Sequence, residues 1–228
     1  MKVMGRRPNS LKNSRNSTLG SPGSNRSIRC GTLIIMAHHI IYVPGIQDDL
    51  FHAQSLIIKF WRLFGVCGHC HPLPWAGQGD YATKAATLLA RIDDYVAAGH
   101  RVSLVGASAG ASAVLNAYAA RRTAVSGVAY ICAKINRPET VSAETLGENP
   151  AFKTALALLQ ANLQTFDAAD KSRFYSFYSV KDGTVAYADT RVNGVRESKL
   201  APLGHGLAII YCLTFGFPKL LRVLKPAA

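Results

Sequence analysis

The sequence is short of charge, shorter still of acid, and has no apolar run long enough to cross a bilayer. Only 17% of its 228 residues are charged, and 13 Asp plus Glu stand against 26 Lys plus Arg. The longest apolar stretch, "LAIIYCLTFGF" from Leu207, has eleven letters with a glycine inside, far below the ~20 residues of a spanning helix. The five cysteines are odd in number and irregularly spaced, which excludes a disulfide framework and suits reduced thiols in a cytoplasm. No repeat period is present, so a solenoid is excluded. A secretory signal fits poorly. The first apolar letters, Leu33 to Met36 and Ile40 to Val43, come late and are interrupted by His38 and His39, and no hydrophobic segment directly follows the Arg6-Arg7 pair.

The acid deficit is uneven. Seven Lys and Arg and no acid fall in residues 1–35, a segment rich in Ser, Asn and Gly that lacks the apolar groups needed to offset ordering entropy. Residues 1–35 are therefore expected to be a basic disordered tail, with Met36 as an alternative start, and 36–228 to be one domain. A basic arm is a nucleic-acid signal only with aromatic interleaving or a recognisable module; neither is present, so no nucleic-acid partner is expected. The basic, apolar C-terminal segment "PKLLRVLKPAA" reads as a terminal helix packed on a sheet, with weak membrane contact the lesser reading.

With 49% hydrophobic residues the body can bury a substantial core. "HHIIYV" from His38 is apolar on both faces, the mark of a buried parallel strand. Strand-like runs recur in "GVCGHCHP", "HRVSLVG", "VSGVAYICA", "RFYSFYSV" and, more weakly, "GVRESKL". Between them lie helical spacings in "LFHAQSLIIKFWRLF", "YATKAATLLARIDDYVAAG", "ASAGASAVLNAYAARR" and, within a long insertion over 134–172, "PAFKTALALLQANLQTF". Alternation of this kind predicts an α/β fold, a mostly parallel sheet of about six strands with helices on both faces.

Active sites in such sheets form outside the carboxyl ends of the strands, so the letters after each strand carry the chemistry. After the third strand stands "GASAG", a G-x-S-x-G match with Ser108 between Gly106 and Gly110. The match is weak alone, but a strand-to-helix junction is where a tight turn lifts a serine above the sheet. Serine needs a base. Of seven histidines only His205, in "LGHGL", follows the last strand. The acid candidate is Asp182 in "SVKDGTV", directly after the fifth strand, with Asp189 in reserve. After the first strand, "VPGIQDD" offers a glycine turn whose Ile46 N–H, with that of Ala109, would form an oxyanion hole.

On "VPGIQDD", "GASAG", "SVKDGTV" and "LGHGL", in that order from His38 to the C-terminus, the chain resembles the α/β-hydrolase superfamily, and in particular its small members with little or no cap. The resemblance implies Ser108 as nucleophile, His205 as base, Asp182 as its orienting acid, Ile46 and Ala109 as oxyanion donors, no cofactor, and a small-molecule acyl substrate. Many relatives have His-Gly after the first strand; here Pro44 stands in the His place.

Two other readings stay open. One is a protein of this fold that binds without catalysing. The other is dithiol or haem chemistry at "CGHCH", Cys67 to His71. On a strand, Cys67 and Cys70 fall on opposite faces about 10 Å apart, too far for a disulfide. Trp75, Tyr81 and the 134–172 insertion are candidates to line a substrate pocket, or for plain packing.

Overall fold

The computed structural model describes residues 36–46, 51–77 and 79–224. The expected basic tail, the Asp48-Asp49 end of the "VPGIQDD" loop and Leu50 lie outside these residues.

Six strands, β1 (His38–Val43), β2 (Cys67–Cys70), β3 (Arg101–Ala107), β4 (Val125–Ile131), β5 (Phe174–Tyr178) and β6 (Arg196–Lys199), form one sheet in the order β2-β1-β3-β4-β5-β6. Every neighbouring pair is parallel. Strand β1 is buried along its whole length, whereas the outermost strands β2 and β6 keep exposed positions. Central strands covered on both faces need continuous apolar runs; edge strands do not. The helices are α1 (Phe51–Lys59), α2 (Tyr81–Ala97), α3 (Gly110–Ala120), α4 (Ala143–Glu148), α5 (Pro150–Leu163), α6 (Ala168–Ser172), α7 (Tyr187–Thr190), α8 (His205–Leu213) and α9 (Phe217–Leu224).

The two-residue period of the strands sorts the core into two layers. Ile41, Val43, Val102 and Leu104 join Leu88 and Ile92 of α2, Val114 and Tyr118 of α3, and Phe152 and Leu159 of α5. Ile40, Tyr42, Val105 and Ile131 join Ile58 and Trp61 on one side and Cys212, Leu213, Leu220 and Leu224 of α8 and α9 on the other. Trp61 donates its indole N–H to the Leu213 carbonyl and stacks on Phe217. Helix α9 buries Phe217, Leu220, Leu221 and Leu224 and exposes Lys219 and Arg222, so the described part of the basic terminal segment, through Leu224, is a helix packed on the sheet. None of the described helices is alone long and apolar enough to cross a membrane.

"CGHCH" is β2 with its first flanking residue. Its alternating faces come out as the strand period requires. Cys70 packs beside the Ile40 layer, while His69 faces α2, with His69 Nε2 2.9 Å from His39 Nδ1 and its ring against Tyr95. His39 also stacks on Tyr95 and His100. Burial and the neighbouring His69 and His100 push His39 down to about 4, and burial with Arg91 nearby pushes His71 down to about 4.

The start of the 134–172 insertion is tied to α7 by a buried Lys134–Asp189 pair that the half-exposed Arg137 joins. Lys134, just after β4, donates to Asp189 of α7 at 2.7 Å, and Arg137 Nε reaches the other carboxylate oxygen at 2.5 Å. The Asp189 carbonyl also accepts the N–H groups of Ile135 and Asn136. Burial opposes ionisation of Asp189, but the hydrogen bonds from Lys134 and Arg137 outweigh it and hold the carboxyl below the usual range. Helix α5 packs against α3 and α2, so this part of the insertion belongs to the core layer.

Two consequences can be measured. Asp189→Asn leaves the Lys134 ammonium buried without its counter-charge, and should destabilise the protein by about 3 kcal/mol in urea unfolding; a loss below ~0.5 kcal/mol would contradict the cluster's role. His39 and His71 are neutral in the folded chain down to about 4, whereas the unfolded chain takes up protons below about 6.5. Stability is therefore full above that upper value and drains away as pH falls through the window. The urea midpoint should be lower at pH 5 than at pH 7.5, and the His39→Gln/His71→Gln double variant should lose much of that difference.

Candidate active site

Four of the expected segments reach the carboxyl edge of the sheet: the turn after β1, the elbow after β3, the loop after β5 and the start of α8 beyond β6. At the elbow, Ser108 has φ 51°, a left-handed backbone rarely adopted by non-glycine residues. Such strain persists only where surrounding structure enforces it. Two bonds do so here: Ser108 N–H donates to the Ile131 carbonyl at 3.0 Å, and its own carbonyl accepts from Ala111 N–H at 3.2 Å. The flanking glycines permit the packing. A Cβ on Gly106 would lie 2.6 Å from the Gly110 carbonyl oxygen, and one on Gly110 would lie 2.1 Å from that of Val43.

The turn after β1 comes against the serine itself, for a Cβ on Gly45 would stand 2.9 Å from Ser108 Cβ and 3.4 Å from its Oγ. Pro44 is buried ahead of it. Among the described residues, the N–H groups of Ile46 and Ala109 have no hydrogen-bond acceptor. Ala109 immediately precedes α3, where the helix dipole favours negative charge.

Asp182 and His205 are joined. Nδ1 of His205 lies 2.8 and 2.9 Å from the two Asp182 oxygens, and His205 N–H donates to the Asp182 carbonyl at 2.9 Å. The local sequence explains the carboxylate's pose. "DGTV" folds as an Asx turn in which Asp182 Oδ1 accepts from Thr184 N–H at 3.0 Å and Val185 N–H at 2.7 Å, with Gly183 at φ 77°. Burial opposes ionisation, but the hydrogen bonds from His205 and the Val185 N–H outweigh it, and Asp182 stays charged below the usual carboxylate range. With Nδ1 engaged, Nε2 is the nitrogen left to take a proton. Among the described residues no hydrogen bond joins Ser108 to His205; contacts of this kind commonly close only when substrate is bound.

Asp189, the reserve acid, is committed to Lys134 and Arg137. Trp75 and Tyr81 belong to the buried layer, Trp75 edge-on to Phe152 and Tyr81 accepting from the Asn116 side chain, so packing is their role.

Cys132, directly after β4, is a residue the sequence reading passed over. Its thiol lies with the donor atoms of Asp182 and His205 in a group all within 4.8 Å of one another. Thiolate, carboxylate and imidazole are a metal-ligand set by type; here Asp182 and His205 make a direct 2.8 Å contact, and burial pushes the Cys132 thiol's pKa upward.

Comparison with known proteins bears on the fold. No known family model matches the sequence, and no curated protein is significantly similar to it. Solved structures do match. Est1E from Butyrivibrio proteoclasticus superposes with a TM-score of 0.57 at 12% identity, over 82% of this chain and 89% of that one. The Bacillus licheniformis lipase BlEst2 in its mature form gives 0.57 at 15% identity, over 84% and 93%. The alpha/beta hydrolase domain-containing protein 10 from mouse gives 0.52 at 17% identity, over 82% and 90%. Likeness at such low identity rests on the path of the chain, and with the six parallel strands, the β3-to-α3 elbow and the segments at its carboxyl edge it gives this protein the α/β-hydrolase fold.

Proposed function

We propose that the protein is a serine hydrolase that cleaves a carboxylic ester, thioester or related acyl bond through an acyl-enzyme on Ser108. The observation that carries this reading is the Asp182–His205 pair at 2.8 Å, on the same sheet edge as a serine held at φ 51°. Names among the fold neighbours, a lipase and other lipolytic enzymes, support an ester in particular.

In this mechanism His205 accepts the Ser108 Oγ proton at Nε2 as Oγ bonds to the substrate carbonyl carbon. Asp182 holds the Nδ1–H tautomer and stabilises the imidazolium that forms. The negative oxygen is received by the N–H groups of Ile46 and Ala109. His205 then returns its proton to the leaving oxygen or sulfur as that bond breaks. Water attacks the acyl-enzyme, gives its proton to Nε2, and the acid departs as Ser108 recovers its hydrogen. The chemistry draws on no cofactor. Gly45 serves the step sterically, since a side chain there would occupy the approach to Oγ.

Ser108→Ala should lower kcat/KM for a 4-nitrophenyl ester by at least ~10⁴-fold and remove labelling by a fluorophosphonate, with the circular dichroism spectrum unchanged. Full activity in that variant ends the proposal, and a wild-type chain that neither turns over esters nor labels would identify a binding protein instead. Asp182→Asn should cost about 10³ to 10⁴ in kcat, because the amide favours the wrong imidazole tautomer. The matching Asp189→Asn change should affect stability far more than turnover.

A further inference from the structure

Two adjacent strands end in the same unusual way. Ser108 follows β3 at φ 51°, and Cys132 follows β4 at φ 48°. The elbow motif accounts for the first. Nothing in the catalytic scheme above accounts for the second, and a cysteine has no intrinsic preference for the left-handed region. The backbone is held there by the Cys132 N–H, which donates to the Phe177 carbonyl at 2.8 Å. The side chain is fully buried, and its sulfur lies within 4.8 Å of the facing atoms of Asp182 and His205.

We propose, resting on the catalytic reading of Ser108, that Cys132 is a positioning residue: its thiol donates a hydrogen bond to the Asp182 carboxylate and so fixes how that carboxylate meets the His205 Nδ1–H. The polar surroundings fit a donor. The thiol is fully buried, with its sulfur and the facing atoms of Asp182 and His205 all within 4.8 Å of one another. Burial first, then the Asp182 charge and the hydrogen bond to it, push the thiol's pKa strongly upward, with the Cys212 thiol adding to the effect. The group is therefore a neutral S–H beside a carboxylate, able to donate and unable to add a competing negative charge. Ser179 ties the same chain end to the His205 side, its hydroxyl donating to the Leu203 carbonyl at 2.6 Å. The proposed bond would put the Cys132 S–H on the same carboxylate that accepts the His205 Nδ1–H.

Without the thiol donor, more of the carboxylate's negative charge faces the imidazole, and the imidazolium is stabilised relative to the neutral base. The experiment compares the full-length wild type with Cys132→Ala, Cys132→Gly and Cys132→Ser. Glycine is the second donor-free variant because it accepts the left-handed backbone without strain, and serine keeps a donor. Two readouts are taken: the low-field Nδ1 proton resonance of His205 by NMR, assigned against His205→Gln, and the pH profile of ester turnover. In the Ala and Gly variants the Nδ1 resonance should move, the acid limb should shift to higher pH, and kcat should fall about tenfold with KM little changed. Cys132→Ser should return both readouts most of the way to wild type. A folded Ala or Gly variant with an unmoved resonance and acid limb overturns the proposal, as does a serine variant no nearer to wild type than alanine. The NMR readout needs no turnover, so a chain that hydrolyses nothing would refute the hydrolase reading while still testing the thiol–carboxylate bond.

Discussion

The end of β1 and the first turn of α3 approach so closely that a single methyl group would part them. A Cβ on Gly110 would stand 2.1 Å from the Val43 carbonyl oxygen and 2.7 Å from that of Pro44, and one on Gly106 would meet the backbone of Gly110 and Ala111. The candidate site at the carboxyl edge hangs on this contact. It draws the amino end of α3 down onto the sheet, forces Ser108 into a left-handed turn, and brings the loop after β1 against the serine. The geometry of the candidate nucleophile and of the proposed oxyanion donors is thus a packing result before it is an electrostatic one: two glycines remove the atoms that would otherwise hold strand and helix apart.

The second half of the site is built by hydrogen bonding instead. Asp182 is buried, which alone would favour its neutral form, yet it accepts bonds from His205 Nδ1–H and from the Thr184 and Val185 N–H groups. A carboxylate so provided remains charged in a dry setting, where its effect on the imidazole is greater than it would be in water. The Asp189 cluster obeys the same rule to a different end. There the partners are cations, Lys134 and Arg137, and the carboxylate anchors a polypeptide segment.

Histidine shows how context assigns a role to a residue type. His39 stacks on His69, Tyr95 and His100 beside the first residues of β1, β2 and β3, the end of the sheet away from the candidate site. His39 and His69 lie where burial keeps them neutral. They make a structural patch whose cost is felt in acid. The letters of "CGHCH" belong to it: Gly68 admits Ile58 and Trp61, His69 joins the ring stack, and the two thiols are parted by the pleat. His205, beyond β6 at the carboxyl edge, is the described histidine that pairs with a carboxylate.

The fold was legible because its signals are local and periodic. Continuous apolar strands, amphipathic helices and a glycine-flanked serine are written in neighbouring letters, and strand ends in a parallel sheet have one functional side, so Ser108, Asp182 and His205 could be named from order alone. The choice between Asp182 and Asp189 was less secure in the sequence, since both follow β5 and precede β6; only the folded chain shows one facing His205 and the other neutralised by cations. Cys132 was hidden for the same reason. Nothing in "YICAKIN" marks a polar contact, and its closeness to Asp182 and His205 arises from chain segments 50 and 73 positions apart. What the sequence determined by itself was the set of elements and the order of the candidate groups, because these follow from side-chain periodicity and backbone sterics. Which groups touch, and which carboxylate is spent on structure, was decided only by tertiary packing, because burial and hydrogen-bond partners are properties of the assembled sheet edge.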